Sequence, residues 1–309
     1  MLNLQTLVLF IKSARLNRTF TGISATLIPI SIANRFDFDI LLFLLSSMIL
    51  YGAVAIHNAK KDNDYPLPDS TSKVIIFLLI FAIYLASREK IVFIGIVVLF
   101  ILGILYNLVS RYIVAGDATI IAFSHIAWPM FISSTILGLS KNYKFVFPII
   151  MYVIFWFLLH LKNLKDTIGD KKRGYKTITT NFKNGREITL VSSQISYIFM
   201  IIFFFVFNFK YKLIFSLILL FVSLSVFIKI KIEDDIYVAN LLKFSMILFF
   251  SMLIFEFSGF SLIFGICFFQ VSTYIIHFIK LADFTFSFPK SIHNTIEKFK
   301  LKIQSRRYF

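Results

Sequence analysis

The sequence predicts an all-α, polytopic membrane protein built as a bundle of nine to ten transmembrane helices. Composition is the first observation: of 309 residues, 58% are hydrophobic, 40 are phenylalanine and only 16% are charged, whereas soluble domains carry about a quarter charged residues. The second is that the apolar residues form long runs, and about 20 mostly apolar residues suffice for one helical crossing. These runs lack the two-residue alternation of a membrane barrel, so the spans are predicted to be helical.

Ten apolar stretches are long enough, or nearly so, to cross a bilayer. They lie at about 19–34, 39–57, 73–87, 91–109, 118–139, 145–161, 188–208, 211–230, 237–257 and 259–280. The first and third are short and would need extension into their flanks. The boundary at Ser258-Gly259 is the weakest, because the last two stretches could form one bent segment. Nine spans is therefore the alternative to ten.

The charges of the loops predict the orientation of the chain. The net charge is +16; with ten spans and a cytoplasmic N-terminus, 24 of the 32 lysines and arginines fall in cytoplasmic segments and 7 in outer loops. This bias follows the positive-inside rule, so both termini are predicted to be cytoplasmic. Because the positive charge belongs to membrane loops, it does not indicate nucleic-acid binding.

We expect one membrane domain over residues 1–282, followed by a basic amphipathic tail over 283–309. Residues 1–14 are apolar but short, which predicts an interfacial helix before the first span. The tail alternates apolar residues with lysine and arginine, a pattern typical of a helix on anionic lipid.

A charged segment at 162–177 follows the sixth apolar stretch. Asp166 and Asp170 are four residues apart, a spacing that places both carboxylates on one face of a helix. Like charges at that spacing repel, so the pair favours a bound cation. Lys162 lies one turn earlier, and a metal ion with a polyanion is indicated. Taken alone, these residues also fit a solvated basic loop at the membrane surface.

A similar pair, Asn58 and Asp62, follows the second stretch at the same predicted depth. Together with Asp166 and Asp170 it supplies hard oxygen ligands without cysteine or paired histidines, which predicts Mg²⁺. Mg²⁺ usually binds through carboxylates and substrate phosphates, and a diphosphate at the lipid edge indicates a prenyl diphosphate. The scattered histidines are interpreted as packing or interfacial residues: His125, His160 and His277.

These residues resemble the motifs of the UbiA superfamily of intramembrane prenyltransferases. Members carry D-x-x-x-D after the sixth span, commonly continuing as G-D-x-x-x-G-x-K-T, and this chain has the matching run Asp166–Thr177. Members also carry N-D-x-x-D-x-x-x-D after the second span; Asn58 and Asp62 match it, whereas Ala59 and Pro66 replace two aspartates.

Several further positions carry the resemblance over roughly residues 10–280. Pro66-Leu-Pro68 is similar to the R-P-L-P segment after the first motif, and Asn163 stands where many members have another aspartate. Tyr106 and Arg111 resemble the tyrosine and cation that follow the fourth span.

The resemblance implies transfer of a prenyl group from an isoprenyl diphosphate to an aromatic or lipid acceptor, within a bundle whose two motifs border a central cavity. It implies two Mg²⁺ ions, one on Asn58 and Asp62 and one on Asp166 and Asp170, with Asp62, Asp166 and Asp170 as catalytic residues. The implied diphosphate-binding residues are Arg15, Arg18, Tyr106, Arg111 and Lys162. Asp64 or Asp69 is the candidate acid on the acceptor side.

Other functions stay open at this point. The altered first motif allows a superfamily relative that uses a polyprenyl and phosphoribosyl donor pair, or an inactive paralogue. A membrane transporter with a cation site belongs to a different class; such sites usually lie near the bilayer midplane, whereas both motifs here lie at the ends of spans. The acceptor and the prenyl chain length are not specified by the sequence.

Overall fold

The computed structural model describes residues 4–14, 16–61 and 65–286, with side chains described for 9–14, 24–61, 65–106, 108–276 and 278. Arg15, Asp62, Asp64 and the tail from 287 onward lie outside the described residues. Arg18 lies in a described helix, but its side chain is outside the described set. The chain divides into two compact units, Met1–Cys267 and Phe268–Phe309.

Every regular element within the described residues is a helix. The α-helices are α1 (Leu4–Ser13), α2 (Leu16–Ala33), α3 (Phe38–Lys61), α4 (Thr71–Ala86), α5 (Lys90–Tyr112), α6 (Gly116–Ala122), α7 (Trp128–Ile136), α8 (Phe147–Leu159), α9 (Thr167–Arg173), α10 (Ile178–Asn181), α11 (Gly185–Val206), α12 (Lys212–Lys231), α13 (Asp235–Ser258) and α14 (Leu262–Phe286).

Seven helical segments in the described residues are long and apolar enough to cross a membrane. They are Phe38–Lys61, Lys90–Tyr112, Gly116–Ile136, Asn142–Asn163, Gly185–Val206, Lys212–Lys231 and Asp235–Ser258. Shorter apolar helices cover Ser24–Ala33, Thr71–Ala86 and Leu262–Ile276. The chain is therefore a multi-pass integral membrane protein with an all-helical fold, as predicted, while the count of nine to ten spans stays a prediction.

The boundary at Ser258-Gly259 separates two helices. Helix α13 ends at Ser258, Gly259 takes a left-handed φ of 60°, and α14 begins at Leu262. A positive φ suits glycine, which has no Cβ to clash with the backbone. The last two apolar stretches thus form two helices rather than one bent segment.

Two of the seven long spans contain a proline, and in each the helix makes a π turn just before it. The amide of Trp128 bonds the carbonyl of Phe123 just before Pro129, and the amide of Phe147 bonds the carbonyl of Asn142 just before Pro148. A proline ring crowds the preceding helical turn and offers no amide hydrogen. The wider π turn accommodates this, so each span continues across its proline.

Aromatic rings fill much of the bundle interior. Phe147 packs edge-on against Phe203, and Phe155 lies 5.0 Å from Phe250, measured between ring centroids. Lipid tails are as apolar as these side chains, so helix association in a membrane depends on close packing and interhelical hydrogen bonds. Contacts between phenylalanine rings therefore join α8, α11 and α13.

Glu256 shows how a charged residue is accommodated near the end of a span. Its Oε1 accepts the backbone amide of Lys210 at 2.6 Å, and its Oε2 accepts that of Tyr211 at 3.4 Å. A carboxylate at the positive end of a helix is favourable. Glu256 on α13 therefore caps the start of α12.

Candidate functional site

The two aspartates of the second motif stand one helical turn apart. Asp166 immediately precedes α9, and its carbonyl accepts the amide of Asp170 at 2.8 Å. Their surroundings differ: the side chain of Asp166 is 55% exposed, whereas that of Asp170 is 9% exposed. One carboxylate is thus solvated and the other lies against the bundle.

The residues after α9 form backbone hydrogen bonds with the end of α5 and the residues that follow it. Gly174 ends α9 with a φ of 73°, the left-handed conformation that glycine adopts readily. The amide of Lys176 then donates to the carbonyl of Ser110 at 2.8 Å, and the amide of Ala115 donates to the carbonyl of Lys176 at 2.9 Å. Thr177 begins α10 with a reciprocal capping box. The G-x-K-T continuation therefore ties the second motif to the segment between α5 and α6.

A buried acid, Asp117, binds the lysine of the motif. Lys162 Nζ lies 2.8 Å from Asp117 Oδ2, and Asn163 Nδ2 donates to the same oxygen at 3.0 Å. The Asp117 side chain is 3% exposed and that of Lys162 is 24% exposed. Lys162 Nζ also lies 5.7 Å from the centre of the Tyr106 ring. The structure thus brings Lys162, Tyr106 and Asp117 together at the start of the second motif.

Asp117 is not among the residues selected from the sequence. The available signal is an acid at the first turn of an apolar span, a costly position in lipid that usually marks a specific partner. That partner lies on another span and cannot be recognised from local spacing.

Several polar atoms beside this cluster lack hydrogen-bond partners among the described residues: Asp117 Oδ1 and both ring nitrogens of His160. His160 is fully buried, with Trp156 stacked edge-on at 4.9 Å between ring centroids. Its ring packs in the interior, but within the described part of the chain neither ring nitrogen has the hydrogen bond that a satisfied packing histidine would make. Buried polar groups normally have hydrogen-bond partners. These three atoms are therefore available to bind water or a ligand.

The other histidines differ from His160. His125 Nδ1 is 2.8 Å from Ser124 Oγ, and its ring lies 4.6 Å from that of Tyr51. This is a packing histidine with a satisfied ring nitrogen. The His277 side chain is outside the described residues.

Arg111 stacks on the second motif from the end of α5. Its guanidinium carbon lies 6.0 Å from the centre of the Tyr175 ring, within the range of a cation–π contact. The Arg111 side chain is exposed, so its charge remains accessible from the solvent side.

The first motif is described only in part. Asn58 is partly buried near the end of α3 and lines a cavity of about 340 Å³ together with His57, Lys61 and apolar residues of α4 and α5. Asp69 is exposed just before α4, where its carbonyl accepts from Lys60 Nζ at 3.4 Å. The predicted ligand Asp62, the candidate acid Asp64 and the predicted cation Arg15 lie outside the described residues.

The architecture is similar to a solved structure of digeranylgeranylglyceryl phosphate synthase, a UbiA-family prenyltransferase, with a TM-score of 0.59 and 16% identity. The similarity covers 82% of this chain and 99% of that one. The chain has the UbiA-superfamily fold. No protein-family model and no curated protein matches the sequence. The resemblance recognised in the two motifs is thus confirmed at the level of the fold.

The donor atoms present in this UbiA fold suit Mg²⁺. Asp166 and Asp170 supply carboxylates one turn apart, and Mg²⁺ usually takes one or two carboxylates with substrate phosphates completing its shell. Within the described parts of the chain, no three His, Cys, Asp or Glu residues group closely enough to hold a metal ion. The two carboxylates of the second motif therefore fit one Mg²⁺ whose other ligands are water or substrate phosphates.

The position of Asp170 in the UbiA fold changes its acidity. Burial raises the pKa of this carboxyl to about 6, with Asp166 and Asp117 acting in the same direction and Lys162 and Arg173 opposing them. Burial has the largest effect because a desolvated carboxylate is less stable than the neutral acid. Without a cation, ionised Asp170 is thus less favourable in the folded protein than in water.

This acidity predicts a pH-dependent stability in metal-free protein. Because the folded-state pKa of about 6 exceeds the ordinary value of 3.8, the folded state binds the proton more tightly. Protonation of Asp170 therefore stabilises the folded protein fully below about pH 4, and this stabilisation is lost as the pH rises through about 6. We expect Asp170→Asn to reduce the fall in melting temperature between these pH values, measured in detergent with EDTA. Parallel melting profiles for the two proteins would contradict the prediction.

Proposed function

We propose that this protein is an intramembrane prenyltransferase that moves a prenyl group from an isoprenyl diphosphate to a hydrophobic or aromatic acceptor. The observation that carries the proposal is the Asp166–Asp170 pair in a UbiA fold, with Lys162 held close by and Tyr106 beside it. Carboxylates with adjacent cations at the end of a span match the needs of a diphosphate bound at the membrane surface.

In this proposal the chemical difficulty is the departure of diphosphate from the first carbon of the prenyl chain. That C–O bond breaks as positive charge develops on the allylic carbon, and the acceptor then forms the new bond and loses a proton. Mg²⁺, when bound, would neutralise charge on the leaving diphosphate. Asp166 and Asp170 would hold one ion, and Asn58 with Asp62 would hold another.

The remaining roles are assigned to charged and apolar residues of this chain. Lys162, Arg111, Arg15 and Arg18 would offset the charge of the leaving group, with Tyr106 donating a hydrogen bond. Preorganised charges in a site of low dielectric stabilise a transition state by several kcal/mol. The phenylalanine-rich helices would hold the prenyl tail and exclude water from the carbocation. Asp64 or Asp69 would take the proton from the acceptor.

The loop charges support an orientation with both termini in the cytoplasm. In that orientation both motifs face the cytoplasm, where soluble diphosphates and Mg²⁺ are present. The prenyl chain would enter from the surrounding bilayer, which is a necessary partner of the protein.

Purified protein incubated with Mg²⁺, a panel of prenyl diphosphates and a panel of acceptors tests the proposal. We expect release of inorganic diphosphate together with a prenylated product detected by lipid mass spectrometry. Cation flux in proteoliposomes without consumption of any diphosphate would instead support a transporter.

Departures in the first motif favour a second candidate within the same fold. Ala59 and Pro66 stand where superfamily members carry aspartates, so the site could accept a different donor, such as phosphoribosyl diphosphate with a polyprenyl phosphate acceptor. Including this pair in the panel distinguishes the candidates, because the mass of the lipid product identifies the transferred group.

A further inference from the structure

A second cavity of about 350 Å³ borders the second motif, where Lys165, Thr167 and Ile168 belong to its lining. Its lining includes Lys165, Phe182, Lys183, Arg186 and Asp235, and it contains neither motif aspartate. Its volume is within the range of small-ligand sites. The cavity therefore adjoins the second motif but is lined by charged side chains other than its two aspartates.

Close helix packing forms one wall of this cavity. A Cβ added to Gly185 would lie 2.5 Å from the carbonyl oxygen of Ile178. Only a glycine permits so close an approach, and it brings the start of α11 against α10. Lys183 and Arg186, on either side of Gly185, are thereby placed around the same cavity.

The cavity carries an excess of positive charge. Arg186 is neutralised by a two-pronged contact with Asp235, at 2.8 and 2.9 Å, and also donates to the carbonyl of Ile230 at 3.0 Å. Lys183 forms no ion pair with a described residue, and Lys165 Nζ has only a 3.9 Å contact with the solvated Asp166. Two lysines are thus left to attract an anion.

Two apolar side chains that line the cavity are exposed at the protein surface. The side chains of Ile168 and Phe182, both lining residues, are 68% and 45% exposed. The lining residues belong to or adjoin α9, α10 and the starts of α11 and α13, at the membrane face that loop charges predict to be cytoplasmic. Lysines and exposed apolar side chains that line one cavity match a molecule with a phosphate and a hydrocarbon chain.

We propose that this cavity binds the phosphate headgroup of an anionic phospholipid, with Lys165 and Lys183 contacting the phosphate. Basic pockets between transmembrane helices at the cytoplasmic side commonly hold such headgroups. Lysine ammonium groups act as point charges toward phosphate, while Ile168 and Phe182 contact the first part of the acyl chain. The proposal is independent of the enzymatic function.

Native mass spectrometry of the purified full-length protein with phosphatidylglycerol or phosphatidylcholine tests this site. We expect one tightly retained phosphatidylglycerol in the wild type. Lys165→Gln/Lys183→Gln should weaken its retention about thirtyfold, since two lysines near an anionic lipid contribute about 1 kcal/mol each and about 1.4 kcal/mol corresponds to a factor of ten. The matched control is Lys12→Gln/Lys73→Gln, which removes two exposed lysines of the same predicted face outside the cavity.

Thermal melting with added phosphatidylglycerol or inorganic phosphate distinguishes a lipid from a free anion. We expect the lipid to raise the melting temperature of the wild type and of the control, and to have a smaller effect on the cavity variant. Equal retention of phosphatidylglycerol by the cavity variant and the control would overturn the proposal. Stabilisation by phosphate that phosphatidylglycerol does not reproduce would also overturn it.

Discussion

Asp170→Asn and Asp166→Asn are each expected to lower the rate of prenyl transfer by about a hundredfold or more. Asparagine keeps the size of the side chain and the start of α9 but removes the charge that would hold a metal ion against the leaving diphosphate. Loss of one preorganised electrostatic contact at a transition state typically costs a factor of about 10²–10³. Initial rates of diphosphate release, measured across a range of Mg²⁺ concentrations, provide the test.

The matched control is Asp37→Asn, which removes a partly exposed carboxylate paired with Arg35 outside both motifs. This variant should retain the wild-type rate. If both motif variants remain folded and release diphosphate as fast as the control, the second motif is not the catalytic metal site. A loss at low Mg²⁺ that high Mg²⁺ restores would locate the effect in metal affinity.

The second large effect concerns the pair Asp117 and Lys162. Asp117→Asn leaves the ammonium of Lys162, three-quarters buried, without its carboxylate partner at 2.8 Å. Breaking a buried ion pair on one side destabilises a protein by about 3–5 kcal/mol, whereas replacing both partners is often close to neutral. We therefore expect Asp117→Asn and Lys162→Met each to be strongly destabilising, and the double variant to be less destabilised than the sum.

Equilibrium unfolding in detergent measures all four proteins of this double-mutant cycle. Additive losses would show that the two side chains do not stabilise each other. Activity adds an independent result: if Lys162 contacts the diphosphate, the double variant should remain impaired in prenyl transfer even where its stability recovers.

The sequence predicted what depends on local composition and spacing. Apolar runs of about 20 residues require helices in a bilayer because backbone groups in lipid must bond within their own segment. This is why the all-helical membrane fold was predictable. The four-residue spacing of Asp166 and Asp170 likewise suffices to place them one turn apart, since it depends on a single helical turn.

Asp117 is a residue whose contact partner could not be predicted from local spacing. Its hydrogen bond to Asn163 joins residues 46 positions apart and exists because α6 packs against α8. In the sequence, Asp117 is one acid at the edge of an apolar stretch. Only the packed helices identify it as the partner of Lys162.

Some features of the 162–177 segment therefore follow from the sequence alone, and others follow from the tertiary structure. The sequence by itself determined a membrane-embedded helical chain and a carboxylate pair among cations, because apolar run length and helical periodicity are local properties. The tertiary structure decided that Asp170 is buried while Asp166 is solvated, that Asp117 binds Lys162, and that Lys165 and Lys183 border a separate cavity. These features depend on which helices pack together, and helix packing is set by contacts between residues distant in the chain.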